Sequence, residues 1–195
     1  MGESARRKRE RMTRVRRTTS ARLAAASALL STAGMPLHPQ QSRSPDLRIF
    51  TSASLLVVDY MAAGTLASLD ENARHQQALL AAYPKISSLQ IMTGPVGKVD
   101  DALKKKAAEM TKAIENKCFG SAIVIPGSSL GAMMIRTVVT GINMVSKSST
   151  PQKCFATIGE ALSWLQSFPG QDPQVMKITA GEIEALFPAL GKKAA

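Results

Sequence analysis

The sequence predicts an α/β protein: a mixed, mostly parallel sheet of about five strands with helices packed on it, plus a short C-terminal helix. Two observations carry this. From Leu47 onward, short apolar runs of strand length alternate with longer amphipathic segments of helical period. Two strand-like runs stand back to back at the start, and every later strand is preceded by a helical segment, as parallel neighbours require. With 195 residues and a 45% apolar fraction, the chain is long and apolar enough for one packed core.

Leu47 to Phe50 and Leu55 to Tyr60 read as a hairpin around the turn-prone Thr51–Ser54. Ser68-x-x-Glu71 has capping-box spacing, and Leu66, Leu69, Ala73, Leu79, Leu80 and Tyr83 form an imperfect helical stripe that ends before Pro84. Ile86 to Met92 alternates as a strand, and Thr93-Gly-Pro-Val-Gly97 breaks it. Asp100 and Asp101 then give a helix its acidic first turn, with Val99, Leu103, Ala107, Met110 and Ile114 on one face. Lys104, Lys105, Lys106, Glu109 and Lys112 take the opposite, solvated face.

Phe119 to Ile125, rich in β-branched residues, suits a central strand, and a helical segment follows the Pro-Gly-Ser-Ser turn. Lys153 to Ala156 is a last short strand. Thr157-x-x-Glu160 caps a helix with Ile158, Ala161, Leu162, Leu165 and Phe168 inward, ended by Pro169-Gly170. Thr179-x-x-Glu182 opens the C-terminal helix, with Ile183, Leu186, Phe187 and Leu190 as its stripe.

The net charge of +11 is concentrated at one end. Residues 1–45 hold ten Lys and Arg against Glu3 and Glu10, whereas the other 150 residues carry 15 basic and 12 acidic groups. A basic globular surface of the kind that binds nucleic acid is not indicated. The sequence therefore divides into a disordered basic tail at 1–45, an α/β domain at 46–169, and a linker with a short amphipathic helix at 170–195. The tail is expected to be a leader too charged to order itself, or an over-extended start ahead of Met12 or Met35. Two other readings stand beside it: a secretory or twin-arginine signal around Arg16-Arg17, and an arm for anionic polymers or membranes.

Cys118 and Cys154 are expected as reduced core residues of a cytoplasmic protein. With His38 and His75 the only histidines, no ligand cluster of metal spacing is present, and no cofactor is expected.

The closing segment "KCFATIGEALSWL" carries a resemblance. Its Phe155, Thr157, Glu160, Ala161, Trp164 and Leu165, set behind a strand pair and alternating helices and strands, resemble the STAS-like, anti-sigma-factor-antagonist type of domain, above all its uncharacterised bacterial members. The resemblance spans about Leu47 to Phe168. It implies a non-enzymatic regulatory domain acting through protein contact, often switched by a phosphorylated Ser or Thr after the third strand. At that place this chain reads "IMTGPVGKVDD", where Thr93 is the one hydroxyl nearby and the family's Ser-rich motif is missing.

Enzymatic motifs fail on spacing. "GPVGKV" at Gly94–Val99 is too short for a Walker loop and has Val99 in place of the metal-binding hydroxyl. Gly127, Ser128 and Ser129 are placed to bind an anion at a helix start, or simply to cap it. His75, in mid-helix, is expected to face solvent, so no serine gains a base. Asp59 ends a strand without a second carboxylate at any spacing that pairs them.

Leu130 to Val145 is too short for a membrane span and contains Arg136 and Asn143, so no transmembrane segment is expected. Its inward stripe leaves Ile135 and Val139 on a second apolar face. Ile135, Val139, Arg136 and Met144 are therefore the expected contact with a protein partner or a second copy. The alternative is a carrier or sensor of a small apolar or anionic ligand held between that helix and the sheet.

Overall fold

The computed structural model describes residues 37–95, 100–127 and 149–187. The sheet has six strands in the order of the sequence: β1 (His38–Gln40), β2 (Leu47–Ser52), β3 (Leu55–Tyr60), β4 (Ile86–Met92), β5 (Cys118–Val124) and β6 (Gln152–Phe155). β1, β2 and β3 are antiparallel neighbours, and β3 to β6 run parallel. The helices are α1 (Leu66–Ala82), α2 (Asp101–Ala113), α3 (Ile158–Gln166) and α4 (Ala180–Glu184), with a 3-10 turn at Val175–Lys177. This is the mixed, mostly parallel sheet expected, with the antiparallel opening that the STAS-like resemblance implies.

The sheet has one more strand than the sequence reading provided. His38–Gln40 lies inside the stretch assigned to the tail, yet it pairs with Ile49–Thr51, and the Gln40 amide donates to Thr51 Oγ1 at 2.8 Å. Three residues with Pro39 at their centre have no apolar alternation to betray a strand. Their pairing with β2 decides the conformation.

One face of the sheet packs against α3, the 3-10 turn and α4. Leu55, Val57, Leu89, Ile91, Ala122 and Val124 meet Phe155, Ile158, Ala161, Leu162, Leu165, Val175, Ile178, Ile183 and Phe187 there. The segment read as a linker and appended helix thus supplies four of the main core's buried side chains, Val175, Ile178, Ile183 and Phe187. The capping boxes expected at Thr157/Glu160 and Thr179/Glu182 both form. Trp164 stacks edge-on against Phe168, with centroids 4.9 Å apart, and both rings lie over Gly120. A Cβ on Gly120 would sit 2.6 Å from Phe168 Cε2 and 3.0 Å from Trp164 Cη2. Gly120→Ala is therefore expected to lower stability by about 1–3 kcal/mol through overpacking, measured by urea unfolding. A change below a few tenths would show that the rings move aside freely.

The other face packs against α1, and here the sequence reading is corrected. The helix begins a turn earlier than expected: Thr65 is the N-cap and Ser68 the reciprocal partner, not Ser68 and Glu71. Its buried side chains are Ser68, Glu71, Asn72, His75 and Gln76, while Leu66 is 47% exposed. His75, expected in solvent, is buried. The apolar residues Leu69, Leu79 and Leu80 are only half-buried, at the margins of that polar stripe. Each polar group that turns inward needs a partner. Asn72 donates to the Tyr60 hydroxyl at 2.7 Å, and burial pushes the Tyr60 phenol up to about 12.

α2 starts at Asp100, whose carboxylate accepts from the Leu103 amide. Met110 and Ile114 are buried as expected, Ala107 is exposed, and Val99 lies outside the described residues. Lys106 on its flank pairs with Asp70 of α1. Cys118 is buried, with its thiol donating to the Gly120 carbonyl and pushed up by burial to about 11, which leaves no reactive thiolate near neutrality. Cys154 is half-buried.

Candidate functional site

The carboxyl ends of parallel strands are where an α/β sheet presents loops from several strands at once. Here β3 ends in Asp59 and Tyr60, β4 runs into Thr93 and Gly94, and β5 into Ile125, Pro126 and Gly127. The first two ends are joined by main-chain bonds. The amides of Thr93 and Gly94 both donate to the Tyr60 carbonyl, at 3.1 and 2.9 Å, and the Met61 amide donates to Asp46 O at 2.9 Å. Gly94 passes so close to the β3 end that a Cβ on it would lie 2.2 Å from the Met61 carbonyl oxygen. Only glycine fits that crossing.

Asp59 is the charged group at this end with no solvent exposure at all. Strand alternation places it on the α3/α4 face with Leu55 and Val57, and the hairpin register sets it opposite Arg48. The Arg48 Nε donates to Asp59 Oδ2 at 2.8 Å, and its Nη2 reaches the same oxygen. Thr93 Oγ1 donates to Asp59 Oδ1 at 2.6 Å. Above the pair, the Arg48 guanidinium lies 5.0 Å from the centroid of the Phe187 ring, which in turn meets Phe50 edge-on at 5.7 Å. Both carboxylate oxygens are thus engaged, one by a cation and one by a hydroxyl. In this state the carboxylate, fully buried, ties β2 to the start of the loop after β4.

Of the residues singled out from sequence, Thr93 is half-buried at the centre of this cluster. A phosphoryl group on Thr93 Oγ1 would remove the proton that Asp59 accepts and set a second anion against it. Gly127 is exposed, with φ +104°, a left-handed conformation that suits a glycine after β5. Ser128, Ser129, Ile135, Arg136, Val139 and Met144 lie outside the described residues. The hydroxyl at Thr93 was legible as a single feature of its loop, and Asp59 as a strand end. Arg48 and Phe187 were missed as members of the same site. Met61, 37% exposed, and Leu66 border the loop that follows Asp59.

Among the described residues, no helix is long and apolar enough to cross a membrane. No group of three His, Cys, Asp or Glu side chains among them is placed to hold a metal.

Fold and site together define an α/β protein with a mixed six-stranded sheet and an internally neutralised polar cluster at the carboxyl end of its parallel strands. Among solved structures, the crystal structure of an uncharacterized protein of the DUF3478 family with a SpoIIAA-like fold, from Shewanella loihica PV-4, is similar to it at 15% sequence identity and a TM-score of 0.42, covering 68% of this chain and 94% of that one. No family model and no curated protein matches the sequence.

Proposed function

We propose that this chain is a non-enzymatic regulatory or interaction domain of the STAS-like type, acting by contact with a protein partner or with a second copy of itself. The observation that supports it is the state of Asp59. A general base needs an acceptor free to take a proton from substrate, and this carboxylate instead ties Arg48 of β2 to Thr93 after β4. A loop fixed to the sheet in that way makes a preorganised surface, which lowers the entropic cost of docking. Ile135, Val139, Arg136 and Met144 are the proposed contact residues, in the chain that follows Gly127.

Sedimentation velocity across a wide concentration range tests the homodimer. The wild type is expected to dimerise, and an Ile135→Asp, Val139→Asp double variant to remain monomeric with an unchanged circular-dichroism spectrum. A wild type that is monomeric at every concentration removes the homodimer. Native mass spectrometry of the same sample addresses the carrier alternative, since a bound lipid or small anion would replace the contact reading.

A further inference from the structure

The stretch between β1 and β2, Gln41 to Ser44, lies across the polar stripe of α1 and is fastened to it at several points. The Arg43 amide donates to Glu71 Oε1 at 2.8 Å. Arg74 Nη2 donates to the Gln41 carbonyl at 3.2 Å and to Glu71 Oε1 at 2.7 Å, while Arg74 Nε donates to Glu71 Oε2 at 2.9 Å. His75 also hydrogen-bonds the Gln41 backbone. Ser42 Oγ, donating to the Ser44 carbonyl at 2.8 Å, folds the stretch into its own turn.

His75 Nε2 sits 2.7 Å from Arg74 Nη2 and 3.3 Å from Glu71 Oε1. A guanidinium only donates, so the shorter contact requires Nε2 to be the unprotonated ring nitrogen. A proton on Nε2 turns that contact into donor against donor, cation against cation. The same proton then competes for Glu71 Oε1, which already receives both the Arg43 amide and Arg74.

We propose that Glu71, Arg74 and His75 form a proton-operated latch: the Gln41–Ser44 strap is held on α1 while His75 is neutral, and is released when the imidazole takes a proton and competes for Glu71. β1 keeps its own three-residue pairing with β2 and the Gln40–Thr51 bond, so what release uncovers is the polar stripe of α1.

The charges around His75 are few. Glu71 and Arg74 come from its own helix and the Arg43 main chain from the strap. β3 contributes the Tyr60 phenol, held neutral and bonded to Asn72, and α2 directs Lys106 to Asp70 instead. Burial, ahead of the Arg74 charge, holds His75 below its ordinary range, against the pull of Glu71 and of the Gln41 main chain. Arg74, ahead of the strap amide, holds Glu71 down at about 2. The sign follows: for a histidine whose folded value is depressed, the stabilisation is complete above the unfolded value of about 6.5 and is lost as pH falls through the folded one. Glu71 stays ionised across that window, so the imidazole sets the trip point.

The test is amide hydrogen exchange on the full chain at about pH 7.5 and about pH 5.5, expressed as protection factors so that the chemical rate cancels. The Arg43 amide is expected to lose protection severalfold on acidification, while the Thr93 amide keeps its own. In His75→Gln, whose amide oxygen accepts from Arg74 and does not titrate, Arg43 is expected to be protected equally at both values. The latch is overturned by a wild-type Arg43 amide indifferent to pH. It is overturned equally by the same loss in His75→Gln, or by Thr93 falling in step with Arg43, which would mean global unfolding.

Discussion

Arg48→Met is expected to lower the free energy of unfolding by about 3 kcal/mol, because it leaves the Asp59 carboxylate buried with a single hydroxyl for company. The arginine contributes charge, two donors to one oxygen and a guanidinium lying over the Phe187 ring. Methionine retains much of the stem and nothing else. Removing both charges together has a different outcome: Arg48→Met, Asp59→Leu is expected to recover to within about 1 kcal/mol of the wild type, since an apolar pair of similar volume often replaces a buried ion pair at little cost. Urea unfolding of the four proteins in this cycle isolates the coupling. A single variant within 0.5 kcal/mol of wild type, on the order of an ordinary surface change, would mean that solvent, not Arg48, neutralises Asp59.

Phe187→Ala is expected to cost about 3–5 kcal/mol, the range for emptying an aromatic site in a core. The ring has no exposure, meets Phe50 edge-on and covers the Arg48 guanidinium, so its loss removes three kinds of contact at once. Phe187→Leu, which fills most of the volume, is expected to recover more than half of the loss. Thermal and urea unfolding check both variants, and a Phe187→Ala protein as stable as wild type would show that the C-terminal segment is dispensable to the core.

These two predictions rest on residues whose joint role was hidden in the sequence, and the reason is geometric. The hairpin was legible, but its turn was read as four residues, Thr51–Ser54. That would set Phe50 opposite Leu55 and Arg48 opposite Val57. The turn occupies Ala53 and Ser54, with Ala53 in the left-handed region at φ 48°, and so Arg48 falls opposite Asp59. Alanine in that conformation gives none of the usual Asn or Gly signals. Phe187 is separated from Phe50 by almost the whole domain, and no local pattern reports such a contact.

The α1 face was misread for another reason. A stripe at positions 68, 71, 72, 75 and 76 has perfect helical spacing, but its residues are Ser, Glu, Asn, His and Gln. Apolar periodicity assigns such a face to solvent, whereas here the strap supplies partners to Glu71, Arg74 and His75, and Tyr60 of β3 supplies one to Asn72. The capping boxes at Thr157 and Thr179, by contrast, were fully legible, since both partners lie within one helical turn.

Strands that neighbour one another in the sheet are also successive in the chain, so the sheet is able to grow from one end as the polypeptide leaves the ribosome. Its α3/α4 face is different. That surface waits for Val175, Ile178, Ile183 and Phe187, and Gln171 reaches back 84 residues to Ser87. Until residues 158–187 emerge, Leu55, Val57 and Leu89 are paired but uncovered. The nascent chain therefore carries this apolar surface uncovered until that segment is made, and chaperone protection belongs to that interval.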